Sequence, residues 1–309
     1  MVNRFFENES LGIHSLQFKA MGSPCTIHLQ GERSAIQSIL ESAKQEVLRL
    51  EKKYSRYRED SVVSLINATA AKEAIAVDAE TAGLLNYAHV CFEMSDGMFD
   101  VTSGVLRKVW DFKQNTLPTE TDIAACLKDI GWKKVQWDGE RIRFERSGIE
   151  IDFGGVVKEF SADRVAQYCR DQGVTAGLIE LGGDISIVGP KFLEGDEREP
   201  WLIGIRHPQT GDAMASIPLF EGGVATSGSY ERFIKVNGKR YCHILNPQTG
   251  WPVEGVASVS VVAPQCLVSG SLSTIAMLKG HQAAQWLDEQ GASYLLLMDN
   301  GEIKGTLQG

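Results

Sequence analysis

The chain has no long apolar run. No segment approaches the roughly 18 consecutive apolar residues of a membrane-spanning helix, so no span is expected. The opening MVNRFFENESLGIHSLQF holds no continuous apolar core and no small-residue cleavage site, which reads as no secretory signal. Paired cysteines are missing too. The six present (Cys25, Cys91, Cys126, Cys169, Cys242, Cys266) are scattered, with no Cys-x-x-Cys, and several fall inside apolar patterns. That excludes a disulfide framework or a zinc site and fits reduced, buried thiols of a cytoplasmic protein. The net charge is −9 and there is no Lys/Arg run, so neither nucleic acid nor an anionic membrane is expected as a partner. No Pro/Gly/Ser linker divides the chain. No G-x-G-x-x-G with an acid at ribose distance is present, which excludes a Rossmann dinucleotide site.

What is there is enough for one large domain: 309 residues, 43% apolar. Residues 14–30 alternate and break at Gly22-Ser23-Pro24, the pattern of a strand pair. From Ser34 the period changes. Ile36, Leu40, Ala43, Val47, Leu50 and Tyr54 recur at helical spacing, which predicts a long amphipathic helix. A second helix is predicted from the cap Asp78 to Gly97, and a short one over 119–129. Strands are expected at 133–137, 141–145 and 149–152. A helix follows Gly155 with Ala162, Val165, Ala166 and Cys169 on one face. Further strands are expected near 175–181, 184–188, 201–206, 214–219, 230–236 and 256–263, then helices over 267–279 and 281–290 and a last strand, SYLLLM. Strands follow one another without regular βαβ alternation. The expected class is therefore α+β with largely antiparallel sheets, in one domain over 1–309 with residues 1–13 as a loose arm.

Several stretches carry possible chemistry. In IDFGGVVKEFSAD, a strand end, a glycine pair and a helix start put Asp152 and Lys158 at the two ends of a turn. Glycines let backbone approach a ligand, and a helix N-terminus offers unpaired N–H groups to an anion. Lys158 in the first turn is unfavourable for the helix dipole, which points to a ligand; a plain strand-to-helix turn is the other reading. In YCHILNPQTGWP, His243 ends a strand before a Pro-punctuated turn and suits a general base near neutral pH, or a structural histidine. SDGMFDVTSGVL could present Met98, Phe99 and Asp100 to a planar ligand, or simply cap a core helix. ELGGDISIVG places Asp184 after a Gly-Gly, which also reads as a hairpin turn. Tyr57, in KYSRYRED, sits on a corner where it could stack on a ring.

In order along the chain, AMGS, YSRYREDSVVSLIN, DGMFDVTSGVL, IDFGGVVKEFSAD, ELGGDISIVG, GVATSGSYERF, HILNPQTGWPV and SGSLSTIAMLKG resemble the FAD:protein FMN transferases of the ApbE type. The resemblance covers about residues 16–305. It implies a T-fold-related α+β architecture, FAD as substrate, a divalent metal, usually Mg2+, and a flavoprotein acceptor. FMN passes to a Thr or Ser hydroxyl of that acceptor and AMP is released. By resemblance, Met21 and Tyr57 sandwich a ring, and Met98, Phe99 and Asp100 hold the ligand's polar edges. Asp152 and Lys158 flank a turn that holds FAD, and Gly155 lends its carbonyl to the metal. His243 is the base for the acceptor hydroxyl, and Leu245 adds backbone contact. The chain departs from the family where the metal-binding Asp is expected: that position is Gly270, with the second ligand Thr274 retained. Glu159 stands where the family usually has Gly; it is expected to point along its helix, with a reach into the site as the other reading. The departure leaves a second reading open, a non-transferring FAD-binding relative such as a flavin carrier or slow FAD pyrophosphatase.

Overall fold

A computed structural model describes residues 4–8, 11–193, 197–208, 210–230 and 232–307. Its centre is a nine-stranded sheet: β1 (Arg4–Asn8), β2 (Ile13–Ala20), β3 (Ser23–Gln30), β4 (Gly177–Leu181), β5 (Asp184–Gly189), β6 (Gly223–Gly228), β7 (Val256–Ala263), β8 (Ser293–Met298) and β9 (Ile303–Gly305). Neighbours in the sheet follow chain order, and every pairing is antiparallel. Each insertion between consecutive strands is therefore an excursion that returns to the same growing edge. Residues 4–8, within the stretch expected as a loose arm, pair as β1 with β2. The turn joining β2 and β3 is two residues long, with Met21 and Gly22 both at positive φ (51° and 75°), which matches the twist of a tight hairpin.

The strands alternate, so the sheet buries both faces. One face carries Leu16, Ile27, Leu29, Ile179 and Leu181 against α1 (Arg33–Tyr54) and α5 (Val157–Asp171). The predicted stripe of α1 is buried as expected, from Ile36 to Tyr54, and so is the Ala162, Val165, Ala166, Cys169 face of α5. The opposite face, with Leu178, Ile185, Ile187 and Val224, is covered by a hairpin of Trp201–Arg206 and Ala213–Leu219. The largest cluster joins α2 (Val62–Thr69), α3 (Ala79–Met94), α6 (Cys266–Lys279) and α7 (Ala283–Glu289) around β7 and β8. Smaller pieces complete the chain: α4 (Glu120–Leu127), a 3-10 helix over Val101–Lys108 and a hairpin of Phe233–Val236 with Lys239–Cys242.

Residues 149–152, expected as a strand, are not one. Ile149 and Ile151 are buried, but the partner is a side chain: the Asn67 amide accepts from Ile151 N (2.8 Å) and donates to its carbonyl (3.0 Å). All six cysteines are free thiols, five of them buried and Cys126 half-buried. Among the described residues, no helix is long and apolar enough to cross a membrane.

Candidate active site

A cavity of about 250 Å3 opens at one end of the sheet. Five segments meet there: residues 98–107, the 152–155 turn with the start of α5, the ends of β5 and β6, residues 243–245, and the Thr274 to Leu278 stretch of α6. Ten of the twelve residues expected at the site are Met98, Phe99, Asp100, Asp152, Gly155, Lys158, His243, Leu245, Thr274 and Gly270; all but Gly270 line this cavity. Met21 and Tyr57 do not. Met21 packs between the two helical clusters, its N–H donating to Glu51 Oε1 (2.5 Å). Tyr57 is 80% exposed, and its hydroxyl accepts from Arg107 Nη1 at 3.1 Å, so it reaches the cavity through that arginine.

The glycine turn is held from below. Asp152 Oδ1 accepts from Gly154 N (2.8 Å), and Oδ2 faces Arg56 Nη1 (3.1 Å) and Arg107 Nη1 (3.4 Å). The carboxylate is thus engaged by its own turn and two arginines; it anchors the loop and does not stand free for a ligand. Arg56 also donates to Gly104 O (2.9 Å) and Glu150 Oε2 (3.1 Å), tying the 3-10 helix to the turn. Gly104 is required there, since a Cβ would stand 2.7 Å from Asp152 Cβ. Beyond the turn, Val156 gives the start of α5 no side-chain cap; Val157 N is bonded to Phe153 O (2.9 Å), and the next two residues, Lys158 and Glu159, line the cavity.

Asp100 is likewise engaged within the protein. It is buried, and its oxygens accept from Thr102 N (2.8 Å), Thr102 Oγ1 (2.6 Å) and Trp132 N (2.9 Å). Its carboxylate caps the 3-10 helix, and the residue lines the cavity.

His243 is half-buried. Its Nδ1 lies 3.2 Å from Arg232 O, and a carbonyl only accepts, so Nδ1 carries the proton and Nε2 keeps its lone pair. Burial, then the Arg232 and Arg107 charges, lower its pKa below the ordinary histidine value. The ring is therefore neutral near pH 7, in the tautomer a general base needs.

Across the cavity, Lys158 Nζ stands 2.5 Å from Asp184 Oδ2, an ion pair without hydrogen-bond alignment. Glu159 is 7% exposed, and its Oε2 has no hydrogen-bond partner. It does not point along α5. It crosses to α6, where a Cβ added at Gly270 would lie 2.5 Å from Glu159 Cγ and 3.0 Å from Oε1. Burial, followed by the Asp184 charge, pushes the Glu159 carboxyl well above the usual carboxylate range. On α6, Thr274 Oγ1 lies 3.3 Å from Ser227 Oγ, which also meets Ser273 Oγ at 2.8 Å. The position of α6 is set by α5: Asp163 accepts from Cys266 N (3.0 Å) and Leu267 N (2.8 Å), capping the helix.

Arg56, Arg107, Glu159 and Ser227 were not among the residues expected to act at the site, and Asp184 was singled out in ELGGDISIVG with a plain hairpin turn as the other reading. Arg56, Glu159 and Ser227 lie inside quoted stretches (YSRYRED, DFGGVVKEFSAD, GVATSG), so proximity to a motif was the available signal. Arg107 lies just past DGMFDVTSGVL.

A sequence model of the ApbE family matches residues 21–296. The FAD:protein FMN transferase of Treponema pallidum is 30% identical over 284 residues, covering 85% of this chain and 77% of that protein. The FAD:protein FMN transferase of Haemophilus influenzae is 30% identical over 310 residues, covering 94% and 88%. The crystal structure of the ApbE protein from Thermotoga maritima superposes with a TM-score of 0.88 at 33% identity, covering 95% of this chain and 97% of that one.

Proposed function

This chain belongs to the ApbE family, and on that premise we propose that it is an FAD:protein FMN transferase with its active site in the cavity at the end of the sheet. FAD is the substrate and a Thr or Ser hydroxyl of a flavoprotein is the acceptor. The observation that carries the reading is His243, a neutral imidazole with Nδ1 committed to Arg232 O and Nε2 available in a cavity shared with Lys158 and the uncapped start of α5.

The pyrophosphate sits at the 152–155 turn, against the N–H groups of α5, with Lys158 and Arg107 as the nearest positive charges. The acceptor oxygen attacks the phosphorus of the FMN half, its proton goes to His243 Nε2, and the pyrophosphate P–O bond breaks with AMP leaving. Met98, Phe99 and the Leu245 backbone line the flavin side, Tyr57 serves from outside it through Arg107, and Met21 stands behind the lining, in the β2–β3 turn. A divalent cation, Mg2+ by resemblance, neutralises pyrophosphate charge when bound. The cavity fits such an ion: the Thr274 hydroxyl, the Gly155 carbonyl and a buried carboxyl oxygen without a partner are all hard oxygen donors. Gly270 itself brings no donor side chain. The non-transferring alternative rested on that gap, and with Glu159 filling the space no observation favours it. We place the chain in the cytoplasm, a reading supported by its six free thiols.

The test is to incubate the protein with FAD, Mg2+ and an acceptor domain carrying a target Thr. Covalent FMN on the acceptor and matching AMP release are expected. AMP and free FMN without adduct would refute transfer.

A further inference from the structure

We propose that Glu159 is the metal-binding carboxylate of this cavity, reaching from α5 into the space that Gly270 leaves open on α6. The inference rests on the transferase reading of the site and deepens it.

Gly270 is the first observation. It lies in the middle of α6, where glycine is unfavourable relative to alanine, and its backbone is not in the left-handed region. Its reason is therefore space: an added Cβ would stand 2.5 Å from Glu159 Cγ and 2.9 Å from Cδ. The missing side chain on one helix and the extra carboxyl on the other are complementary.

Glu159 is the second. A carboxyl 7% exposed, with one oxygen unpartnered, is an unfavourable burial unless something else completes it. It lines the cavity together with Thr274, which follows Gly270 by one helical turn on the same face. A carboxyl in the space above Gly270 is thus placed beside the Thr274 hydroxyl, as a side chain at 270 would be.

The pairing is the third. Lys158 is ion-paired to Asp184 at 2.5 Å, while Glu159 Oε2 has no hydrogen-bond partner, so a cation seated there meets an unsatisfied carboxyl oxygen. The donors are carboxyl, hydroxyl and carbonyl oxygens. That all-oxygen set suits a hard cation such as Mg2+ or Mn2+ and not a softer metal.

The experiment compares wild type with Glu159→Gln, Glu159→Gly and the double variant Glu159→Gly/Gly270→Asp. Mn2+ is titrated by paramagnetic resonance with and without FAD, and the Mg2+-induced rise in melting temperature is recorded. Glu159→Gln keeps the shape and the capacity to hydrogen-bond Asp184. It is expected to weaken Mn2+ binding at least about 10- to 100-fold and abolish the Mg2+ shift. The double variant is expected to regain at least about tenfold over Glu159→Gly. Wild-type Mn2+ affinity in Glu159→Gln overturns the proposal, as does a double variant no better than Glu159→Gly. A purely structural Glu159 would leave the Mg2+ shift intact. If FAD does not bind, the transferase reading fails, while the titration of Mn2+ alone still decides the role of Glu159.

Discussion

Replacing Arg56 by alanine should cost the fold about 2–4 kcal/mol and weaken FAD binding with it. Its guanidinium donates to Gly104 O at 2.9 Å, Asp152 Oδ2 at 3.1 Å and Glu150 Oε2 at 3.1 Å, with only 15% of the side chain exposed. Removing one partner of a buried ion pair costs about 3–5 kcal/mol, and a hydrogen bond to a charged group contributes about 1.5–3 kcal/mol. Two facts reduce the total. Arg107 remains 3.4 Å from Asp152, and Lys108 remains 2.6 Å from Glu150. Neither can replace the bond to the Gly104 carbonyl, so the 3-10 helix loses its tie to the glycine turn. Lys108→Ala is the control. Its side chain is 48% exposed, and its ion pair should contribute less than about 1 kcal/mol. Urea unfolding of both variants reads the difference, provided the slope with denaturant is unchanged. If Arg56→Ala loses no more stability than Lys108→Ala, Arg56 is not the tie inferred from its three bonds.

Three further outcomes are expected. His243→Ala should lower FMN transfer by about 10²–10⁴-fold with FAD affinity nearly unchanged; in wild type, the lowered imidazole pKa keeps the base neutral at pH 7, so kcat/KM should stay flat on acidification until below the ordinary histidine range and then fall. An acid limb above pH 6.5 would contradict that assignment. Tyr57→Ala should cost about 1 kcal/mol of FAD affinity through lost stacking, and equal affinity by titration calorimetry would leave Tyr57 as a rim partner of Arg107 alone. Phe153→Ala should destabilise by about 3–5 kcal/mol, because the ring is fully buried and meets Tyr54 edge-on at 5.8 Å; a loss below about 1 kcal/mol in urea unfolding would show that the site collapses around the gap.

Much of the scaffold was legible because it is written in periodicity. The α1 stripe and the α5 face each repeat over several turns, and the clean alternation of 14–30 carries its own hairpin. β6 was missed: GVATSG is glycine-bounded and half hydroxylic, so it lacks an apolar signal, although it sits in mid-sheet between β5 and β7. Residues 149–152 have the composition of a strand, but Ile151 is paired by Asn67, a side chain that no local pattern announces, and Asp152 N by the Val101 carbonyl. The site shows the same divide. Motif order placed nine expected residues around one cavity, yet it could not tell which carboxylates were already engaged. Asp100 and Asp152 look available in the sequence and are engaged by Thr102, Trp132, Gly154 and two arginines. Glu159 was misjudged for a nonlocal reason: its direction depends on a side chain that is missing from another helix, far along the chain.

The buried thiols give the molecule its own clock. Only the thiolate reacts with alkylating reagents or oxidants, and burial pushes Cys25 up to about 11, Cys169 up to about 12 and Cys266 well above the ordinary thiol value. Half-buried Cys126 is therefore the thiol that iodoacetamide meets first in the folded protein. Every other label records an opening event. Cys266 is the most informative, because it begins α6, lies against Val224 of β6 and has its N–H held by Asp163. Its labelling rate counts how often α6 lifts off the sheet, and α6 carries Thr274 into the cavity. A ligand that cements the cavity should slow that one thiol selectively and leave Cys126 unchanged.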